Sequence, residues 1–275
     1  RCALRRGDDG GEADCRQKNA LKASPGGRIF RALRGNLSER VFERWSLREF
    51  FQTHPNSPKG CGDVEYRVID WAEYPRRAHF EYFNGMANPY VGVTVETDVT
   101  DFMAACKSNG LPFFLSFLYC AGRAANAVPE LRQRVIGGRP AEFVSCDTSH
   151  TVMRGDGTYG YCRLNCMQPF AAFLPEALRL HEQAKTDAAL DDGADADSLL
   201  FISTLPWVHY SALTQPTPSP ADSNPRITWG KYAEAGGRLT MPVTLLANHA
   251  LVDGAHLGAF YDALAAEMKK APFAD

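Results

Sequence analysis

Apolar residues recur along this chain at two periods, and the periods mark where strands and helices should lie. Tyr90-Val91-Gly92-Val93-Thr94-Val95-Glu96 alternates at period two, the pattern of a half-buried strand. Helical spacing follows over residues 102–107 and 113–127. Residues 141–153 and 158–165 flank Gly155-Asp156-Gly157, which predicts a strand, a tight turn and a strand. A helix over 175–185, an apolar run at 199–202 and strands over 227–232 and 239–247 come next. The last element, 255–270, carries Leu257, Phe260, Tyr261, Leu264 and Met268 at helical spacing. Strands and helices interleave, with no internal repeat and no glycine-rich phosphate loop, so residues 61–275 are expected to form one α/β domain.

Residues 1–60 differ. Stretches 7–11 and 24–27 are turn-like, 37–51 suggests one helix capped by Asn36 or Ser38, and 55–62 reads as a linker. This segment holds 13 Lys or Arg against 7 Asp or Glu, net +6, which leaves 17 against 25, net -8, in the remainder of a chain whose total is -2. The basic segment lacks interleaved aromatics or helix-turn-helix spacing, and the acidic body is poorly suited to polyanions, so no nucleic-acid partner is expected. The chain does not begin with Met, and Arg1 is not expected to be the natural start.

At 275 residues, 45% of them hydrophobic, disorder of the whole chain is excluded. No apolar run approaches the roughly 20 residues that span a bilayer, and the start does not resemble a signal peptide; a soluble protein without a membrane partner is expected. Eight cysteines are too sparse for a disulfide framework, which favours reduced thiols and a cytoplasmic location.

No metal site is expected. Cys146 with His150, and Cys162 with Cys166, have i, i+4 spacing that could grip zinc on a helix. On strands the same spacing separates side chains by about 13 Å, too far for one zinc ion. The acidic run Asp191-Asp192-Gly193-Ala194-Asp195-Ala196-Asp197 has its glycine misplaced for a calcium loop and lacks the closing Glu.

Chemistry is concentrated in His249-Ala250-Leu251-Val252-Asp253-Gly254, an HxxxDG pattern between an expected strand and an expected helix. Asp253 can serve the helix N-terminus while also meeting a cation. This pattern resembles the motif of the CoA-dependent acyltransferases, which include chloramphenicol acetyltransferases and the acyltransferase cores of 2-oxo acid dehydrogenases. Four further stretches resemble the chloramphenicol acetyltransferases in family order: Arg76-Arg77-Ala78-His79-Phe80-Glu81-Tyr82-Phe83, Asn126-Ala127-Val128-Pro129-Glu130-Leu131-Arg132, Ser203-Thr204-Leu205-Pro206-Trp207-Val208 and Thr228-Trp229-Gly230-Lys231-Tyr232. The resemblance spans residues 64–275 and leaves out the first 60. A dehydrogenase core would be preceded by a lipoyl domain and an Ala/Pro linker, which residues 1–60 do not contain.

The resemblance implies a two-layer α/β sandwich with a mixed β-sheet flanked by helices, assembled as a homotrimer with its site between subunits. It implies an O-acetyltransferase using acetyl-CoA as co-substrate, with direct transfer to the hydroxyl of chloramphenicol or another small alcohol; a trimeric binding scaffold is the non-catalytic alternative. Acyl transfer to an alcohol needs a base for the hydroxyl proton, and imidazole, with an ordinary pKa near 6.5, suits that work at pH 7. His249 matches the family's catalytic His. Ser203 matches the donor to the carbonyl oxygen as it gains charge, and Thr228 matches a Thr that holds an ordered water. Arg76 and Asp253 match a salt bridge behind the His. Trp207 and Tyr232 match the CoA side or else are core aromatics, and Tyr82 and Phe83 match aromatic acceptor-pocket positions. His79 is expected to be structural, and His209 and His256 to be strand and helix-end residues without chemical roles. Two departures stand out. Asn248 precedes His249 where the family usually has a second His, and Ser211-Ala212-Leu213-Thr214-Gln215-Pro216 replaces the aromatics that build a nitrophenyl pocket.

Overall fold

In the computed structural model, residues 65–186 and 192–273 are described. The turns, helix and linker expected before residue 64 lie outside the described residues, as does Asp191. In chain order come β1 (Tyr66–Val68), α1 (Arg77–Asn84), β2 (Tyr90–Asp98), α2 (Thr100–Ser108) and α3 (Phe113–Ala127). A 3₁₀ turn, Pro129–Arg132, leads to β3 (Gln133–Ile136), β4 (Arg139–Phe143), β5 (Asp147–Met153), β6 (Tyr159–Leu164) and α4 (Phe170–Ala184), and a second, Ala196–Ser198, precedes the next strand. After β7 (Leu199–Leu205) and β8 (Arg226–Gly230) follow β9 (Ala233–Ala235), β10 (Arg238–Asn248) and α5 (Gly254–Met268).

Seven strands form one mixed sheet in the order β2-β10-β8-β7-β5-β6, with β9 added to β10. Strand β10 is antiparallel to β2, β8 and β9, whereas β8, β7 and β5 run parallel. A smaller sheet has the order β1-β4-β3. Period-two residues of the large sheet, among them Leu200, Ile202, Ile227, Trp229, Val243 and Leu245, share one core with Phe117 and Leu118 of α3 and Phe260 and Leu264 of α5. Removing this apolar surface from water is the main favourable term holding helices to sheet. The architecture is the expected mixed sheet flanked by helices.

Alternation sends Phe201, Ser203, Arg226 and Thr228 to the other face of the sheet. There the segment between β7 and β8 folds back, and Tyr210 Oη donates to the Thr228 carbonyl at 2.9 Å while accepting from Thr244 Oγ1 at 3.1 Å.

Three expectations need correction. Residues 141–153 do not form one strand: the chain leaves the small sheet at Phe143 and enters the large one at Asp147. Buried Asn126 holds that break, accepting from Cys146 N–H at 2.7 Å and donating to the Cys146 and Gly122 carbonyls at 2.9 and 2.8 Å. Helix α4 starts at Phe170, ahead of Pro175, because burial of Phe170, Phe173 and Ala177 draws the extra turn onto the core despite the missing N–H. Strand β8 stops at Gly230, where Lys231 N–H turns to the Val208 carbonyl at 2.8 Å. A Cβ on Gly230 would sit 2.6 Å from that carbonyl, so only glycine fits. The pairs Gly137-Gly138 and Gly236-Gly237, all at positive φ, close two-residue hairpins whose short strands the apolar pattern does not reveal.

Asn126→Leu keeps the volume but strands both backbone groups of Cys146. Each buried unpaired group costs about 1–3 kcal/mol, so urea unfolding should show a loss of about 2–4 kcal/mol; an unchanged midpoint would show that the break holds without Asn126.

Candidate active site

Strand β10 ends at Asn248, and the chain turns at once. Leu251 and Val252 N–H groups both return to the Asn248 carbonyl at 3.0 Å, and His249 N–H reaches the Pro89 carbonyl at 2.6 Å. Asn248, at the position of the family's first His, uses its side chain as a brace: Oδ1 accepts from Ala250 N–H at 3.0 Å and Nδ2 donates to the Asp222 carbonyl at 2.9 Å. His249 Nδ1 lies 2.8 Å from the Val252 carbonyl. A carbonyl can only accept, so Nδ1 carries the hydrogen and, in the neutral ring, Nε2 keeps its lone pair. The imidazole stacks on Phe83, with centroids 3.8 Å apart and planes 19° from parallel. Tyr82 meets Phe83 edge-on and is otherwise 67% exposed.

Asp253 is the N-cap of α5. Its Oδ1 accepts from Ala255 N–H at 3.0 Å, while its own N–H donates to His256 Nδ1 at 3.0 Å. This is a capping box closed by His256 in place of the usual Glu or Gln. His256 therefore has a structural duty that its position in the sequence did not disclose. Arg76, at the N-terminus of α1, donates to Asp253 Oδ2. Burial tends to raise the Asp253 pKa, but the Arg76 hydrogen bond and the Ala255 N–H outweigh it and hold the carboxyl below its ordinary value. His79 is exposed on α1. His209 lies beyond the end of β7 rather than on a strand, with Nδ1 2.9 Å from the Lys231 carbonyl.

Ser203 and Thr228 face each other in register across β7 and β8. They line a cleft of about 340 Å³ whose wall includes Thr151, Tyr161, Gln215 and Arg226. Thr228 Oγ1 donates to Gln215 Oε1 at 3.3 Å. Ser203 also borders a second cleft of about 550 Å³, formed with Thr204, Trp207, Phe114, His181 and Lys185. Trp207 is 67% and Tyr232 45% exposed, so neither is a core aromatic. Behind Trp207's cleft, His150 Nε2 and His181 Nδ1 are 3.0 Å apart. Burial, and then the neighbouring His181, push the His150 pKa down to about 3, so His150 is neutral at pH 7. Among the described residues, no group of three or more His, Cys, Asp or Glu is placed to hold a metal ion.

The expected residues thus fall into two clusters. His249, Asp253, Arg76, Phe83 and Tyr82 lie at one end of β10; Ser203, Thr228 and Trp207 lie farther along the sheet. Thr228 pairs with Thr244, which is five residues before His249 on β10. At roughly 3.3 Å per residue the separation along the strand is about 16 Å, and Ser203 is one strand farther away. Asn248, Asp222, Gln215 and Arg226 were not singled out as site residues by the sequence pattern. Only the motif-breaking Asn248 and the replaced aromatic stretch hinted at them.

The chain was compared with known proteins. It is 27% identical over 207 residues to chloramphenicol acetyltransferase 3 of Escherichia coli, covering 73% of this chain and 96% of that protein. It is 28% identical over 192 residues to the chloramphenicol acetyltransferase of Streptomyces acrimycini, covering 68% and 87%. A solved chloramphenicol acetyltransferase structure matches with a TM-score of 0.68 at 25% identity, over 74% of this chain and all of that one. The fold alone is shared with the dihydrolipoamide acetyltransferase of Azotobacter vinelandii, at a TM-score of 0.51 and 20% identity over 70% and 85% of the two chains. The family description "Chloramphenicol acetyltransferase" matches residues 64–265, nearly three-quarters of the sequence. The ordered motifs, the mixed sheet and this match together show that the chain belongs to the chloramphenicol acetyltransferase family of acyltransferases.

Proposed function

We propose that the protein is an acetyl-CoA-dependent O-acetyltransferase acting on a small-molecule alcohol, with His249 as general base. The observation that carries this reading is the His249 tautomer together with its distance from Ser203. A base and an oxyanion donor must each come within about 3 Å of the reacting atoms, and one rigid sheet holds these two far more than 10 Å apart. Two chains remove the difficulty if His249 of one faces Ser203 and Thr228 of the next, as in the homotrimer that the family resemblance implies.

Within such a site, Nε2 of His249 takes the proton of the acceptor hydroxyl, and its turn is held by Val252, Asn248 and the Arg76–Asp253 pair. Acetyl-CoA supplies the activated acyl group. Ser203 Oγ donates to the carbonyl oxygen as it gains charge, and Thr228 beside it orders water. The cleft carrying Trp207, with Tyr232 and Lys231 on the surface beyond β8, suits the CoA side because its aromatics are exposed. The cleft carrying Thr228 takes the acceptor, with Tyr82 and Phe83 arriving beside His249. Chloramphenicol is the acceptor in the relatives' names and the first compound to test. The five described cysteines are all free, which suits a cytoplasmic enzyme, and among the described residues no helix is long and apolar enough to cross a membrane. The catalytic domain is taken as 61–275, without nucleic-acid contacts.

Light scattering should report about three times the chain mass of 30.3 kDa, and removal of residues 1–60 should leave transfer nearly intact. His249→Ala should lower turnover by roughly 10²- to 10⁴-fold with little change in acetyl-CoA affinity; Ser203→Ala should cost about 10²- to 10³-fold. Mixing the two inactive variants and reassembling them should restore up to about a quarter of wild-type activity, because about one interface in four then joins an intact His249 to an intact Ser203. No recovery from a reassembled mixture would refute a shared site.

A pH test isolates the brace. A carboxyl held below its ordinary pKa stabilises the fold above about pH 4 and loses that contribution as pH falls through its folded value. Asp253→Asn should therefore melt below wild type at neutral pH, and the gap should narrow as pH falls below about 4. A gap independent of pH would deny the ion pair this role.

A further inference from the structure

The cleft shared by Ser203 and Thr228 sets two polar groups with incomplete partners, Gln215 and Asp192, into a wall that also carries apolar Phe201, Ile202 and Pro216. Gln215 spends one end of its amide on Thr228, and its Nε2 is buried with no partner. Turning the amide over exchanges donor for acceptor but still leaves one end unpaired. Ser149 donates to Asp192 Oδ1, and Asp192 has no ion-pair partner among the described residues. The other charge in the wall, Arg226, is already neutralised: its Nη1 and Nη2 reach the two carboxylate oxygens of Asp222 at 2.9 and 2.7 Å. Arg226 also lies over the ring of Phe201, 5.5 Å from its centroid, and so covers aromatic surface on which a nitrophenyl ring could stack. Among the described lining residues, the charge left without an opposite partner is therefore that of Asp192.

A ligand that fits must offer a hydrogen-bonding partner to the Gln215 amide and a positive charge to Asp192, besides the hydroxyl to be acylated. An uncharged aromatic ligand would cover Asp192 without a counter-charge and leave the Gln215 amide unpaired. We propose that the acceptor is a hydroxylated amine of the amino-polyol class, protonated at nitrogen and acetylated at oxygen. This rests on the assignment of Ser203 and His249 to one shared site. The step balances: a bond forms between the acetyl carbonyl carbon and the acceptor hydroxyl oxygen as the thioester C–S bond breaks, and the hydroxyl proton passes to His249 Nε2 and on to the departing sulfur. Nothing is oxidised or reduced.

The test compares N-methylglucamine, its uncharged counterpart sorbitol, and chloramphenicol as acceptors with acetyl-CoA and the full-length protein. Mass spectrometry with alkaline cleavage separates ester from amide products. The kcat/KM for ester formation on N-methylglucamine should exceed that for either other compound by at least about tenfold, and Asp192→Asn should erase its advantage over sorbitol, chiefly through KM. Gln215→Leu should raise KM for both polyols. Ligand-observed NMR with the CoA-saturated protein should rank the three compounds the same way without turnover. Preference for chloramphenicol, equal use of sorbitol, amide as the main product, no ranking by NMR, or an advantage that survives Asp192→Asn would each overturn the proposal. Loss of every transfer in His249→Ala would then leave the acetyltransferase reading standing, whereas transfer that survives His249→Ala would sink that reading instead.

Discussion

Strand β10 is paired on both sides, over nine residues with β2 and four with β8. Because it runs antiparallel to β8 while β8 runs parallel to β7, the end of β10 that delivers His249 lies toward the start of β8 and β7. Ser203 and Thr228 sit farther along those strands. No side-chain rotation can close a gap fixed by a hydrogen-bonded ladder, since shifting register by one residue would turn Val243 and Leu245 out of the core. The separation of the two clusters is a consequence of strand direction, and the proposal of a site shared between chains rests on it.

What the ladder fixes at long range, two ion pairs fix locally. Arg76 and Asp253 join the N-terminal ends of α1 and α5, positions 177 residues apart in sequence. That junction places Phe83 of α1 beneath the His249 ring. On the other side of the turn, Asn248 holds the Asp222 carbonyl while the Asp222 carboxylate holds Arg226. Both pairs are partly buried, and breaking either leaves a half-buried charge without its partner. Arg226 belongs both to the cleft of Ser203 and Thr228 and to the support of the His249 turn. Occupancy of the cleft and the position of the turn therefore bear on one network.

The strand at Tyr90 to Glu96, the helix over 113–127 and the HxxxDG turn were all legible because each is a local pattern, although burial along β2 does not alternate as its period predicts and Val93 is 39% exposed. Helix α3 matches its expected bounds, and β10 and α5 agree to within two residues. The errors are also local in origin. Residues 141–153 look continuous because apolar content does not record which sheet a strand joins, and only the contacts of Asn126 with Cys146 reveal the break. Pro175 signals a helix start from sequence, yet buried Phe170 and Phe173 outweigh it.

The candidate site divides along the same line. The candidate residues His249, Ser203 and Thr228, together with Arg76 and Asp253, stand out in the motifs because the proposed acyl transfer calls for those groups whatever surrounds them. The tautomer of His249, the cap formed by His256, the brace of Asn248 and the polar groups in the cleft of Ser203 and Thr228 were not readable. Each depends on partners brought from distant parts of the chain by sheet topology. Local chemistry is written in residue order, but which donor meets which acceptor is settled only when strand direction and burial decide which groups lose their water and must find one another.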